Sequence, residues 1–228
     1  DVSHTSLPLI PVEDSIPAGT KQCIVWGFGS DGTVGANKEA VKTISEKTSL
    51  FSQGHFAHDS HKAGGVTISH LRFGPEPIQA EYEIQQADYI ACHHPVFVKT
   101  LDVIEKARKG SVFVLNSTWT TMDKMERELP AAMKRKIHSL GLKFYNIDAT
   151  TLARDLGLGP RINMIMQAAF YKLSDVLSVA EAIPLLKQSI IDVYGSKGKK
   201  IVKSNHDAVD AALPKLVEII VPPSWATA

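Results

Sequence analysis

The chain has 228 residues, 44% of them hydrophobic and 21% charged, a composition that fits a globular protein with room for a sizeable core. Its formal net charge of +1 leaves no global field to draw in nucleic acid or a membrane surface, so any anion site has to be local. The two cysteines, Cys23 and Cys92, exclude a disulfide scaffold; both lie in apolar runs and read as buried reduced thiols of a cytosol-like compartment, either cytoplasm or the matrix of a eukaryotic organelle.

Residues 1–20 hold three prolines and no clear period, and read as a linker or an arm over a neighbouring domain. The chain opens on Asp1 rather than Met, which suggests a processed product or a piece of a longer polypeptide, and no signal peptide is visible. KQCIVWGFG, from Lys21, predicts a strand closing on glycines. A helix follows, capped by Ser30 or Asp31, with Val34, Ala40, Val41 and Ile44 as its apolar stripe. SLFSQG predicts a second strand, HFAHDSHKAGG a polar loop, and GVTISHLRFG an alternating strand ended by PEPI. ADYIACHHP reads as a buried strand, VFVKTLDVIEKAR as a helix, and SVFVLNSTW as a strand. MDKMERELPAAMKRKIHSL is helical with a new turn at Pro130, and KFYNIDA is a strand. From Thr150 the pattern is mainly helical up to an extended, proline-rich tail, IIVPPSW. No run approaches the roughly 20 apolar residues of a membrane span. Alternating strands and helices predict an α/β fold: one domain over residues 21–228, with a Rossmann-like, mostly parallel sheet, helices on both faces and extra C-terminal helices.

Gly27, Gly29 and Gly32 form G-x-G-x-x-G between a strand and a helix. In that setting Gly27 permits the tight turn, Gly29 lets backbone approach a phosphate, and the helix start offers free N–H groups to an anion; otherwise the turn serves packing alone. Lys38, farther along the helix, reaches either a phosphate or solvent. A dinucleotide site wants an acid at the end of the next strand to hold a ribose. The nearest acid here is Asp59, late and flanked by His58, His61 and Lys62, which suits an extra phosphate better than a ribose diol and leaves coenzyme A and NADP in play over NAD.

His55, His58 and His61, with His93 and His94, match no metal-ligand template and read as loop histidines with hydrogen-bonding or anion roles. Polar residues at strand ends (Gly27 to Gly29, His93 and His94, Asn116 to Thr118) sit where open α/β sheets bind ligands, with capping of the following helices as the plainer role for Asn116, Ser117 and Thr118. The Met-rich INMIMQAAFYKL reads as core or domain interface, and the Lys197–Lys200 charge run as a solvated helix start.

Five strings occur together and in order: WGFGSDGTVGANK, HDSHKAGGVTISHLRFGP, ACHHP, LNSTW and GLGPRINMIMQAAFYKL. On these, from about Lys21 to Pro222, the chain resembles the gamma segment of the pyruvate:ferredoxin (flavodoxin) oxidoreductases, enzymes of anaerobic metabolism. The resemblance implies a coenzyme A-binding domain of an enzyme that converts pyruvate to acetyl-CoA and CO2, inactive as an isolated chain. It implies coenzyme A contacts at Gly27, Phe28, Gly29, Ser30, Asp31, Gly32 and Thr33, at Ser60, His61, Lys62 and Gly64, and at Asn116, which is also the catalytic candidate. Thiamine diphosphate, magnesium and iron–sulfur clusters are then expected on other parts of the enzyme. The implied partners are those other domains, a homodimeric copy, and ferredoxin or flavodoxin, or a fused NADP reductase module. A free-standing NADP-binding oxidoreductase and a ligand-free interaction domain are the competing readings.

Overall fold

The computed structural model describes residues 16–58 and 65–228; the arm expected over residues 1–20 lies mostly outside them. In chain order the elements are β1 (Lys21–Phe28), α1 (Thr33–Lys47), β2 (Phe51–His58), β3 (Val66–Gly74), β4 (Ala87–Cys92), α2 (Phe97–Thr100), β5 (Ala107–Asn116), α3 (Met122–Glu128), α4 (Ala131–Ser139), β6 (Lys143–Ile147), α5 (Ala149–Asp155), α6 (Asn163–Leu173), α7 (Val179–Tyr194), α8 (Lys199–Ala212) and β7 (Val217–Ile219). The sheet runs β2-β3-β1-β4-β5-β6-β7. Its four central strands, β1, β4, β5 and β6, are parallel, while β3 and β7 run antiparallel to their neighbours.

This order changes the meaning of one sequence argument. The ribose-binding acid of a dinucleotide fold sits on a parallel neighbour of the first strand. Here the strand after α1 is the far edge of the sheet, and β1 is flanked by β3 and β4. An acid at the end of β2 would be two strands from β1; Asp59 itself lies outside the described residues. The loop expected over residues 55–65 is also shorter, because HFAH continues β2 in register with β3 as far as His58↔Thr67.

Side chains alternate across the sheet and feed two cores. Cys23, Val25, Tyr89, Ala91 and Val114 face α1 and α5–α8. Ile24, Ile90, Cys92, Phe113, Leu115 and Phe144 face α2–α4. Helix α6 is buried nearly all round, so its methionines are core. Helix α7 starts on a capping box in which Ser178 and Glu181 satisfy each other's backbone N–H groups. Pro130 separates α3 from α4, since the residue before a proline avoids helical geometry.

Two expected elements differ. VFVKTLDVIEKAR yields only the short α2, because its core-facing residues, Phe97, Val98, Val103 and Ile104, do not keep helical spacing. A continued helix would bury Leu101, which is 40% exposed instead. The C-terminal tail is not wholly extended: after β7 a helical turn over Pro223–Thr227 inserts Trp225 into the second core, where its indole N–H donates to Glu126.

Candidate functional site

Strands β1, β4, β5 and β6 end at one edge of the sheet, and their first following residues carry a continuous set of polar contacts. The turn after β1 is built around Asp31. Its Oδ2 accepts the Phe28 N–H at 2.8 Å and its Oδ1 accepts the Thr33 N–H at 2.8 Å. His94, just past β4, adds an Nε2 contact to Oδ2 at 2.9 Å. The Asp31 side chain is 7% exposed. Burial alone would raise its pKa, but the hydrogen bonds from His94, Thr33 and Phe28 outweigh burial and hold the carboxyl well below the usual carboxylate range. It is therefore a carboxylate at the positive end of α1, the favourable end for a negative charge.

The glycines divide their tasks differently from the sequence expectation. Gly27 belongs to neither the turn nor the helix but is the second-last residue of β1, and a Cβ there would lie 2.6 Å from Thr33 Oγ1. It serves strand–helix packing. Gly32 makes the turn, at φ 84°, in the left-handed region that glycine tolerates. Gly29 is exposed, and a Cβ there would meet only Thr67 Cγ2 at 3.8 Å and the Gly65 carbonyl at 3.9 Å, ordinary contacts. Its own N–H donates to the Gly65 carbonyl at 3.1 Å. Of the donors around the helix opening, the N–H groups of Phe28, Gly29 and Thr33 have partners within the turn and its neighbour Gly65.

The two histidines after β4 point to different work. His93 is buried, its Nδ1 bonded to Thr33 Oγ1 at 2.8 Å. Burial pushes its pKa down to about 4, against the pull of Asp31, so the ring is neutral at neutral pH. His94 is half-buried and tilts against Phe28, with ring centroids 4.4 Å apart, and Phe97 flanks both rings.

Asn116, at the end of β5, is 1% exposed. Its Nδ2 donates to the His93 carbonyl at 2.8 Å and to Thr150 Oγ1 at 3.1 Å, while its Oδ1 accepts the Ala149 N–H at 2.9 Å. These bonds tie β4, β5 and α5 together and engage both ends of the Asn116 amide, so in this structure the side chain holds the strand ends and the start of α5 in place. Ser117 is likewise spent on Asn146, its hydroxyl donating to Oδ1 at 2.6 Å. Lys38 does not reach the turn; its ammonium lies over the Phe56 ring, 5.3 Å from the centroid. Ser60, His61, Lys62 and Gly64 lie outside the described residues, whose nearest point, Gly65, is bonded to Gly29.

The site therefore joins Gly27 to Thr33 with His93, His94 and, one step behind, Asn116. Sequence reasoning missed Thr150 and Ala149; the only available signal was Asp148 after an apolar strand, which caps α5 by accepting the Thr151 N–H. It also treated Asp31 as an optional cap, because spacing cannot show a side chain folding back over its own turn. Among the described residues, no group of three or more His, Cys, Asp or Glu converges on a metal position, and no helix is long and apolar enough to cross a membrane.

Comparison with known proteins covers nearly the whole chain. The family model for pyruvate ferredoxin/flavodoxin oxidoreductase matches residues 22–214. The chain is 53% identical, over all its length, to the pyruvate:ferredoxin oxidoreductase of Moorella thermoacetica, of which it spans 19%. It is 50% identical to the mitochondrial pyruvate dehydrogenase [NADP(+)] of Euglena gracilis, of which it spans 13%. Among solved structures, the pyruvate oxidoreductase subunit PORC of Thermotoga maritima shares the fold at a TM-score of 0.70, with 11% identity, over 89% of this chain and 99% of that one. A 2-oxoglutarate:ferredoxin oxidoreductase from Magnetococcus marinus, with 2-oxoglutarate, coenzyme A and succinyl-CoA bound, shares it at 0.59 and 18% identity, over 86% of this chain and 31% of that one. The chain belongs to the pyruvate ferredoxin/flavodoxin oxidoreductase family, as one domain's share of much longer relatives.

Proposed function

We propose that this chain is the coenzyme A-handling domain of a pyruvate oxidoreductase that yields acetyl-CoA and CO2. The observation that carries the reading is the 53% identity, end to end, with a pyruvate:ferredoxin oxidoreductase. The coenzyme A in the Magnetococcus relative supports the choice of ligand. The exposed turn at Gly29, Ser30 and Gly32, beside His94 at the carboxyl ends of parallel strands, supports the place. Open as it is, that turn needs a second wall, which the remaining parts of the polypeptide would supply.

The chain's own residues do not fit the family's redox group. An iron–sulfur cluster is held by converging cysteine thiolates. Here Cys23 faces one core and Cys92 the other, and burial pushes the Cys92 thiol up to about 12 and the Cys23 thiol higher still. Nor does the chain carry the thiamine signature, a GDG followed by paired asparagines; Ser30-Asp31-Gly32 is not it. Those groups belong to other domains, and this one binds and orients.

The test uses the full-length enzyme. Lys62→Ala removes one charge-assisted contact to a coenzyme A phosphate, worth roughly 1.5–3 kcal/mol. The coenzyme A KM should rise about tenfold or more, with coenzyme A-independent pyruvate decarboxylation unchanged. Gly29→Val, whose Cβ the protein accommodates, should raise it further by filling ligand space. If both folded variants keep the parent coenzyme A dependence, the ligand binds elsewhere.

A further inference from the structure

The amino ends of the parallel strands, at the edge of the sheet opposite the turn after β1, gather cations. Lys21 opens β1, Arg108 and Lys109 lie at the start of β5, and Lys143 opens β6. Arg108 and Lys109 owe their place to an insertion in the ladder. Between Ala87 and Tyr89 β4 advances two residues, while its partner β5 advances five, from Ala107 to Val112. The surplus residues bulge out of the pairing, which re-aims their side chains. Gly110 makes the bend at φ 77°, and its N–H donates to the Leu140 carbonyl at 2.8 Å. Together with the end of α6, these strand starts wall a concave cavity of about 480 Å³.

The acids of that wall answer only part of its positive charge. Asp88 is committed to Arg108 and to the Gln22 N–H, which it accepts at 2.8 Å. Asp175 pairs with Lys21 at 2.8 Å, but its side chain is 85% exposed, so the pair lies in water and is weak. The ammonium groups of Lys109 and Lys143 have no partner among the described residues. Ser174, 3% exposed in the same wall, has a hydroxyl without a hydrogen-bond partner. An unpaired buried hydroxyl costs stability, and like charges gathered in a concavity repel one another. One negatively charged, acceptor-rich ligand relieves both.

We infer that this cavity is a second ligand site, which takes a small oxyanion carrying two or more negative charges. Lys21, Arg108, Lys109 and Lys143 surround it with donors that match an acceptor-only ligand, and a concave wall of one sign concentrates the opposite charge. Its volume is that of a small-molecule site rather than a flat protein interface. The whole length of β1, Lys21–Phe28, or roughly 20 Å, separates it from the turn, so it stands apart from the place proposed for coenzyme A. Phosphate esters and polycarboxylates share the required chemistry.

Isothermal titration of the full-length enzyme, loaded with its cofactors and with coenzyme A, tests this at low ionic strength with two probes, pyrophosphate and citrate. At least one should bind the parent, and Lys109→Gln/Lys143→Gln should weaken that binding by about tenfold or more. Tighter binding of pyrophosphate assigns the site to phosphoryl ligands, and tighter binding of citrate to polycarboxylates; either result supports the site. Lys197→Gln/Lys200→Gln removes the same charge from the start of α8 and should leave binding within about twofold of the parent. All four lysines are exposed, so neither double variant disturbs the core. No binding of either probe by the parent, parent-like binding by Lys109→Gln/Lys143→Gln, or an equal loss in both double variants would overturn the site.

Discussion

Replacing Gly27 by alanine should damage the fold, while the same change two residues on should not. A Cβ on Gly27 would sit 2.6 Å from Thr33 Oγ1, 2.8 Å from Thr33 Cβ and 2.9 Å from its Cγ2. Because the clash includes Cβ, no rotamer of Thr33 relieves it, and the start of α1 has to move off the sheet. Overpacking of this kind costs about 1–3 kcal/mol. The displaced Thr33 also loses its 2.8 Å bond to buried His93, for about 0.5–1.5 kcal/mol more. Stiffening of the unfolded chain returns about 0.4–1 kcal/mol. The net loss is about 2 kcal/mol, or roughly 4–8 °C in Tm for a domain of this size. At Gly29 the added methyl makes ordinary contacts, so Gly29→Ala should stay within about 0.5 kcal/mol of the parent. Urea unfolding of the 228-residue chain, followed by tryptophan fluorescence, measures both as midpoint shifts at constant slope. Equal shifts for the two variants would refute the division of labour between these glycines.

Asn116→Asp should destabilise the domain by about 3 kcal/mol, because it sets a buried carboxylate oxygen against the His93 carbonyl in place of a donor; Asn116→Ala should cost about 2 kcal/mol, and thermal unfolding reads both. His93 should make stability acid-sensitive. Its folded pKa of about 4 lies below its unfolded value near 6.5, so between these the unfolded chain binds the extra proton and stability falls as pH falls through that window. Buried His70, pushed down to about 4 by its own burial, acts in the same window. His93→Gln should flatten, but not abolish, the loss of unfolding free energy between about pH 6.5 and 4. Asp31 acts lower: its depressed pKa keeps its contribution intact above the ordinary carboxylate range and yields it only as pH falls toward the folded value.

The sheet's central strands were readable because each is a short apolar run closed by polar or glycine residues, and being buried on both faces leaves little ambiguity. Sheet order was not readable. Nothing local in SLFSQGHFAH says that its partner is β3 rather than β1, and a long-range pairing decided the fate of the ribose argument. Strand ends marked the neighbourhood of the candidate site, but the contacts within it were not readable. Asp31, Thr33 and His93 gain their roles from contacts that span 60 residues or more of sequence at two points, His93 to Thr33 and His94 to Asp31. Asn116 was singled out for its position, but its hydrogen bonds were not legible, since a buried amide at a strand end looks the same in sequence whether it holds a ligand or a helix.

Trp225 bears on where this unit can be cut. The indole is fully buried beside Phe144, ring centroids 6.3 Å apart, and the chain reaches it only by way of β7, which pairs with β6. The family match stops at residue 214, before either feature. A protein trimmed to that boundary would lose the largest side chain of one core and uncover the outer edge of β6, at a cost of several kcal/mol by the usual penalty of about 3–5 kcal/mol for removing a buried aromatic. Sequence similarity marks what the relatives share most clearly; the severable body is longer, and a workable excision has to run through the tryptophan.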